Sequence, residues 1–141
     1  MEVFVDTNVV VYAATAGPYR DAATAILTAI AGGRLEGRTS TAVIEEVWQV
    51  ELSGRVGRLD GLARSTYELF TPLLPVSDEA VKLALTLDGR RLGANDRIHV
   101  ATSLVHGIGT IVSADSGFDG VREIRRLDLL DSRGLAKLLG R

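Results

Sequence analysis

Four acidic positions stand out because of what surrounds them. Asp6 ends the apolar run Val3-Phe4-Val5, and a charge set directly after a buried strand needs a partner. Asp115 follows the apolar run Thr110-Ile111-Val112-Ser113 after one intervening residue. Asp96 opens a helical stretch, and Glu45 and Glu46 fall in the first turns of a helix that Ser40 or Thr41 caps. Carboxylates brought within a few ångströms of one another repel, so a cluster of them either protonates or binds a cation. With only oxygen ligands on offer, the fitting ion is Mg²⁺ or Mn²⁺. Such an ion orients and acidifies a water for attack on a phosphodiester, and neutralises charge on the phosphorus oxygens.

Each acid taken alone has an ordinary structural explanation. Asp96 after Asn95 could complement a helix dipole, worth about 0.3–1 kcal/mol. Glu45 and Glu46 could be exposed helix residues, and Asp115 with Ser116 and Gly117 could be a turn. Their joint occurrence carries the weight. The remaining candidates are weaker. His99 and His106 are not at the i, i+4 spacing of a zinc pair and read as packing or surface residues. Trp48, on a helix with Ile44 and Leu52, reads as core. Arg90, Arg91 and Arg97 bracket Asp96 and could meet a substrate phosphate or line a solvated loop and helix face. The sequence holds no G-x-G-x-x-G and no P-loop, so a nucleotide cofactor has no support.

The elements that must position these residues alternate. Val3–Val5 reads as a buried parallel strand, and Thr7–Ala14 follows as a helix. Tyr19–Ala31 places Ala22, Ile26, Ala29 and Ile30 on one helical face, stopped by Gly32-Gly33. A short strand over Leu35–Arg38, a helix to Leu52 and a helix over Leu59–Leu73 come next. Leu74–Val76 is a candidate strand, Asp78–Leu87 a helix and Gly89–Ala94 a loop. Asn95 then caps a helix over Asp96–His106, with Gly107 at its end. Thr110–Ser113 and Ile124–Leu127 are strands, and Arg133–Leu139 is a last amphipathic stretch. The pattern predicts an α/β fold with a mostly parallel sheet, in which ligands gather at the carboxyl ends of the strands where strand order reverses.

The chain has 141 residues, which predicts a single domain over 1–141. Cysteine is absent, excluding disulfides and thiolate metal sites and fitting a reducing compartment. The net charge is −2, so no global basic field exists to hold duplex nucleic acid. The N-terminus carries Glu2 and Asp6 without a basic cluster, which argues against a secretion signal. No apolar stretch approaches the roughly 20 residues of a membrane span. A cytoplasmic protein is expected.

Four segments together resemble a known family. Val5-Asp6-Thr7-Asn8-Val9-Val10, Ser40-Thr41-Ala42-Val43-Ile44-Glu45-Glu46-Val47, Asn95-Asp96-Arg97-Ile98-His99-Val100-Ala101-Thr102 and Ile111-Val112-Ser113-Ala114-Asp115-Ser116-Gly117-Phe118-Asp119 are similar to the four signature blocks of PIN-domain ribonucleases, in order and over nearly the whole chain. The small size resembles the VapC toxins of type II toxin-antitoxin pairs. The resemblance implies a PIN-like three-layer sandwich with a central sheet of four to five strands flanked by helices. It implies a metal centre of Asp6, Asp96 and Asp115 with the helix glutamate, and its usual distance from the capping serine selects Glu46 over Glu45. Thr7, Asn8 and Ser113 match positions that support the carboxylates, and Asp119 could assist. The implied activity is Mg²⁺- or Mn²⁺-dependent cleavage of single-stranded RNA, leaving a 5′-phosphate and a 3′-hydroxyl. A homodimer and a VapB-type antitoxin are the implied partners.

Two rivals belong to other classes. A haloacid-dehalogenase-like phosphatase also places an aspartate after its first strand, but wants a second where this chain has Asn8, and a late lysine where only Lys82 and Lys137 exist. A PIN-like scaffold that binds RNA or protein without cutting is disfavoured by the filled acidic positions.

Overall fold

The computed structural model describes residues 1–88 and 91–141. Strands β1 (Glu2–Val5), β2 (Glu36–Arg38), β3 (Thr110–Val112) and β4 (Arg125–Leu127) form one sheet in the order β2-β1-β3-β4, with every pairing parallel. Val3, Phe4 and Val5 are fully buried although consecutive strand residues face opposite ways, so both faces of the sheet are covered. The covering elements are α1 (Thr7–Ala13), α2 (Arg20–Ala31), α3 (Thr41–Ser53), α4 (Leu62–Phe70), α5 (Asp78–Ala84), α6 (Ala94–Val105) and α7 (Ser132–Leu138). The expected α/β sandwich is what forms, with four strands and a wholly parallel sheet among the described residues. Among the described residues no helix is long and apolar enough to cross a membrane.

The topology places the functional region. From β1 the chain crosses to β2 on one side, then returns to β3 on the other, so strand order reverses between β1 and β3. A crevice opens at the carboxyl ends of two parallel neighbours whose connections depart in opposite directions. Asp6 and the segment Ser113–Asp115 leave the sheet at that point. They are stitched there by the Asp6 N–H donating to the Val112 carbonyl at 3.1 Å.

Several element boundaries differ from the sequence expectation. Helix α4 starts only after Gly61, whose φ of 82° interrupts the helical path, and stops before Thr71, extended as residues preceding proline are. Leu74–Val76 makes a single parallel bridge, Ser40 to Leu74, because the partner segment turns into α3 at Thr41 and the Val76 N–H goes to the Thr41 hydroxyl at 3.4 Å. Helix α6 begins two residues earlier than Asn95 suggests, with Gly93 at its N-cap and no capping side chain. Helix α5 ends at Ala84, short of Leu87. Gly89 and Arg90, read as part of a loop, lie outside the described residues.

Helix α2 packs on β2 closely enough to require glycine at Gly37, where an added Cβ would fall inside contact distance of Ile30, 2.7 Å from its Cγ1. Gly37→Ala is expected to destabilise the fold by about 1–3 kcal/mol, the usual range for overpacking. Ile30→Ala in the same chain should recover part of that loss. Urea unfolding midpoints of the single and double variants measure both effects.

Candidate functional site

Asp6 is 5% exposed and serves as the N-cap of α1. Its Oδ1 accepts from the Thr7 backbone N–H at 2.8 Å, and its Oδ2 accepts from the Ser113 hydroxyl at 2.7 Å and the Asn8 side-chain amide at 3.0 Å. The Ser113 hydroxyl accepts in turn from Asn8 Nδ2 and from the Asp115 N–H, each at 3.0 Å. Asn8 Oδ1 takes the Ala114 N–H at 3.2 Å. Thr7, Asn8 and Ser113 therefore tie the ends of β1 and β3 into one polar network around the Asp6 carboxylate.

Asp115 sits just beyond β3, where its Oδ1 accepts from the Gly117 N–H at 2.8 Å and caps a short 3₁₀ turn over Ser116–Gly120. Phe118 in that turn is fully buried and pins it to the core. Glu46 arrives from α3, whose start is capped by the Ser40 hydroxyl accepting from the Val43 N–H at 3.2 Å. Glu46 Oε1 accepts from the Thr7 hydroxyl at 3.2 Å and from His99 Nε2. Glu45 is exposed and accepts from Gln49 at 3.4 Å, so Glu46 is the glutamate that enters the crevice.

Asp96 lies in the first turn of α6, and His99, one turn later on the same face, is fully buried. His99 Nε2 lies 4.0 Å from Asp6 Oδ1. One ligand atom each from Asp6, Asp96 and His99 falls within 4.8 Å of the others. His99 is not the mere packing residue its spacing from His106 suggested. The signal that marks it is its i+3 position relative to Asp96, which puts an imidazole beside the acids.

The charges act strongly on one another. Burial pushes the Asp6 carboxyl above its ordinary value, against the lowering effects of His99 and of the Ser113 and Thr7 hydrogen bonds, and Glu46 pushes it further up. Asp96 is raised to about 6, first by burial and then by Asp6, with Asp115 and Glu46 adding to the rise and His99 opposing it. Burial pulls His99 down, but its hydrogen bond to Glu46 and the charges of Glu46, Asp6 and Asp96 carry it above the usual histidine value. A divalent cation fits the carboxylate oxygens that Asp6 and Asp96 bring within 4.8 Å of each other, both held protonation-prone by burial and by repulsion that a cation would relieve. The nitrogen donor, His99 Nε2, is occupied by Glu46.

Asp119 faces Arg126, which donates to both of its carboxylate oxygens at 2.8 and 3.0 Å and holds it below the ordinary carboxylate range. Arg97 donates to the Leu87 carbonyl and, at 3.1 Å, to the Leu92 carbonyl, so it fastens those two residues to the start of α6. Arg91 is exposed, and Arg90 lies outside the described residues. His106 is exposed, as read. Trp48 is 56% exposed and not core, because the Ile44, Trp48, Leu52 face of α3 turns outward while Val43 and Val47 are buried.

A family model described as PIN domain matches residues 3–124. Three solved structures share the fold. VapBC2 from Rickettsia felis bound to a DNA fragment from its promoter aligns with a TM-score of 0.70 at 17% identity, covering 91% of this chain and 98% of that one. FitAB bound to IR36 DNA aligns at 0.69 and 16% identity, covering 90% and 94%. FitAcB from Neisseria gonorrhoeae aligns at 0.65 and 16% identity, covering 92% and 99%. Comparison with curated protein sequences gives no match.

A carboxyl raised to about 6 binds its proton more tightly in the folded than in the unfolded chain, so its contribution to stability is complete below pH 4 and is lost as pH rises through 6. In EDTA, Asp96→Asn should therefore melt above wild type at pH 7–8 and equal it near pH 3.5. After discounting for solvent screening at this half-buried position, the gain is about 1 kcal/mol, or about 2–4 °C. Thermal melts across that pH range measure it.

Proposed function

The chain belongs to the PIN domain family, and from that premise we propose that it is a divalent-metal-dependent endoribonuclease cleaving single-stranded RNA, the toxin of a VapBC-type pair. The observation that carries this reading is the convergence of Asp6, Glu46, Asp96 and Asp115 from separate elements, close enough for Asp96 to be raised to about 6 by burial and its neighbours. The phosphatase alternative falls with the family membership.

In this reading Asp6 and Asp96 are the principal ligands of Mg²⁺ or Mn²⁺, Asp115 binds directly or through water, and Glu46 is a ligand or the base that orients the attacking water. The ion, when bound, supplies Lewis acidity to the water and charge neutralisation at the scissile phosphate. The protein supplies fixed geometry. The Ser113 and Asn8 hydrogen bonds hold Asp6 Oδ2, leaving Asp6 no freedom to swing out of the crevice. Thr7 and His99 both grip Glu46 Oε1, so Oε2 is the atom presented for water, with no protein hydrogen bond among the described residues. The cleaved strand would leave with a 5′-phosphate and a 3′-hydroxyl.

The likeness to VapBC2 and FitAB supports a protein partner of the antitoxin kind that covers the acids until release. A homodimer and a cytoplasmic location accompany that proposal.

The test uses pure chain freed of any bound partner, single-stranded RNA, and Mg²⁺ or Mn²⁺ against EDTA. Asp6→Asn and Glu46→Gln should each lower cleavage by at least about a hundredfold, while Glu45→Gln should retain it. Metal should raise the melting temperature of wild type and do so less for Asp6→Asn. The reading is overturned if neither metal supports cutting, or if EDTA leaves cutting unchanged.

A further inference from the structure

We propose that Arg126 is the positioning residue for Asp115: its guanidinium fastens the segment Ser113–Asp119 at both ends and so fixes the carboxylate between them. The proposal rests on the metal-dependent nuclease reading above for its functional consequence, and on geometry for the clamp itself.

Arg126 lies on β4 with its side chain only 9% exposed. Its Nη1 donates to the Ser113 carbonyl at 3.0 Å, at the start of the segment, and stands 3.4 Å from Asp128 Oδ1. At the other end Nε and Nη2 donate to the two oxygens of Asp119 at 2.8 and 3.0 Å. Between those anchors, the Asp115 N–H is held by the Ser113 hydroxyl and Asp115 Oδ1 by the Gly117 N–H. Ser113 thus has its carbonyl gripped by Arg126 while its hydroxyl grips Asp6. A shift of Ser113 would move the Asp6 and Asp115 carboxylates relative to each other.

The chemistry calls for arginine in particular. A planar fork can satisfy a carboxylate through two nitrogens and a carbonyl through the third at once, whereas a lysine ammonium is a single point that cannot span both. Asp119 is 56% exposed, so the pair contributes little to global stability. Its effect is on where the loop sits.

The experiment compares wild type with Arg126→Met, Arg126→Lys, Asp119→Asn and the Arg126→Met/Asp119→Asn double variant as full chains. It measures Mn²⁺ affinity by calorimetry, kcat and KM on single-stranded RNA, and amide exchange at Asp115 and Gly117. Expected for Arg126→Met are Mn²⁺ binding weakened about 10–100-fold, kcat lowered to a similar extent, KM within about twofold of wild type, and faster exchange at both amides. Arg126→Lys should not restore affinity. Asp119→Asn should act in the same direction, and the double variant should be no worse than Arg126→Met, since both remove one clamp. Wild-type Mn²⁺ affinity and kcat in Arg126→Met, whatever its melting temperature, overturns the proposal. If Arg126→Met does not fold, Asp119→Asn decides: faster exchange at Gly117 with weaker Mn²⁺ binding supports the clamp, and unchanged values reject it. If wild type itself neither binds Mn²⁺ nor cuts RNA, the nuclease reading fails. Exchange at Asp115 and Gly117 in the variants still decides the clamp, faster rates sustaining it and unchanged rates rejecting it.

Discussion

A carboxylate that is 5% exposed at the end of an apolar strand must be matched by hydrogen-bond donors, and at Asp6 those donors come from distant parts of the chain. Thr7 and Asn8 are local, but Ser113 stands 107 residues away and can reach Asp6 only because β1 and β3 lie side by side. The demand of one buried charge is thus met by the topology of the whole sheet. Thr39 adds a parallel fastening on the opposite flank, its hydroxyl donating to the Val5 carbonyl at 2.9 Å and joining the end of β2 to the end of β1. The carboxyl ends of three neighbouring strands are therefore locked where the acids gather, and the rigidity of the site derives from the rigidity of the sheet.

What could be read from the residues follows from how local its cause is. The buried run before Asp6, the Ser40 cap and the alternation of strands and helices are short-range features, and each appears where expected. The start of α6 was misplaced because Asn95 is a good capping residue by type, whereas the chain enters that helix through an extended Gly93. Trp48 departs from expectation for a different reason. Its i±4 partners Ile44 and Leu52 form an apolar stripe like any core stripe, and only the position of α3 on the sheet shows that Val43 and Val47 face inward instead. Asp119 shows the same limit: its four-residue spacing from Asp115 suggests a supporting role, but the Arg126 side chain through which it would act sits on β4, and only the fold brings the two together.

His99 is the component that changes the electrostatic account of the site. A cluster built of carboxylates alone must protonate or take up a cation, but here an imidazole stands between Glu46 and Asp6 and lowers the charge they present to each other. The compensation is incomplete: burial first, and then the charges of Asp6, Asp115 and Glu46, keep Asp96 raised to about 6 in its presence. His99 also carries a buried cost: its Nδ1 and Thr102 Oγ1 are the buried side-chain atoms without a hydrogen-bond partner among the described residues. An arrangement that leaves such atoms unmatched in order to place Nε2 against Glu46 gives more weight to the orientation of Glu46 than to the stability of α6.

Arginine has a matching division of roles. The chain carries many arginines yet a net charge of −2, so its surface offers no long-range attraction to a polyanion. Arg97, next to Asp96 in sequence, and Arg126, bonded to the Ser113 carbonyl, spend their guanidinium groups on carbonyls and on Asp119. Arg38 is similarly occupied by Glu2 and the Pro72 carbonyl. Arg91 differs: it is exposed, and its carbonyl would lie 3.4 Å from a Cβ added at Gly117, which puts its backbone against the turn that follows Asp115. Among the described residues, a phosphate chain approaching the acids would meet few uncommitted cations and a negatively charged crevice. In the proposed reaction the attraction that brings it in must then come from the bound divalent ion and from a small number of arginines at the rim. Metal and substrate binding would in that case be coupled, each favouring the other through the same four carboxylates.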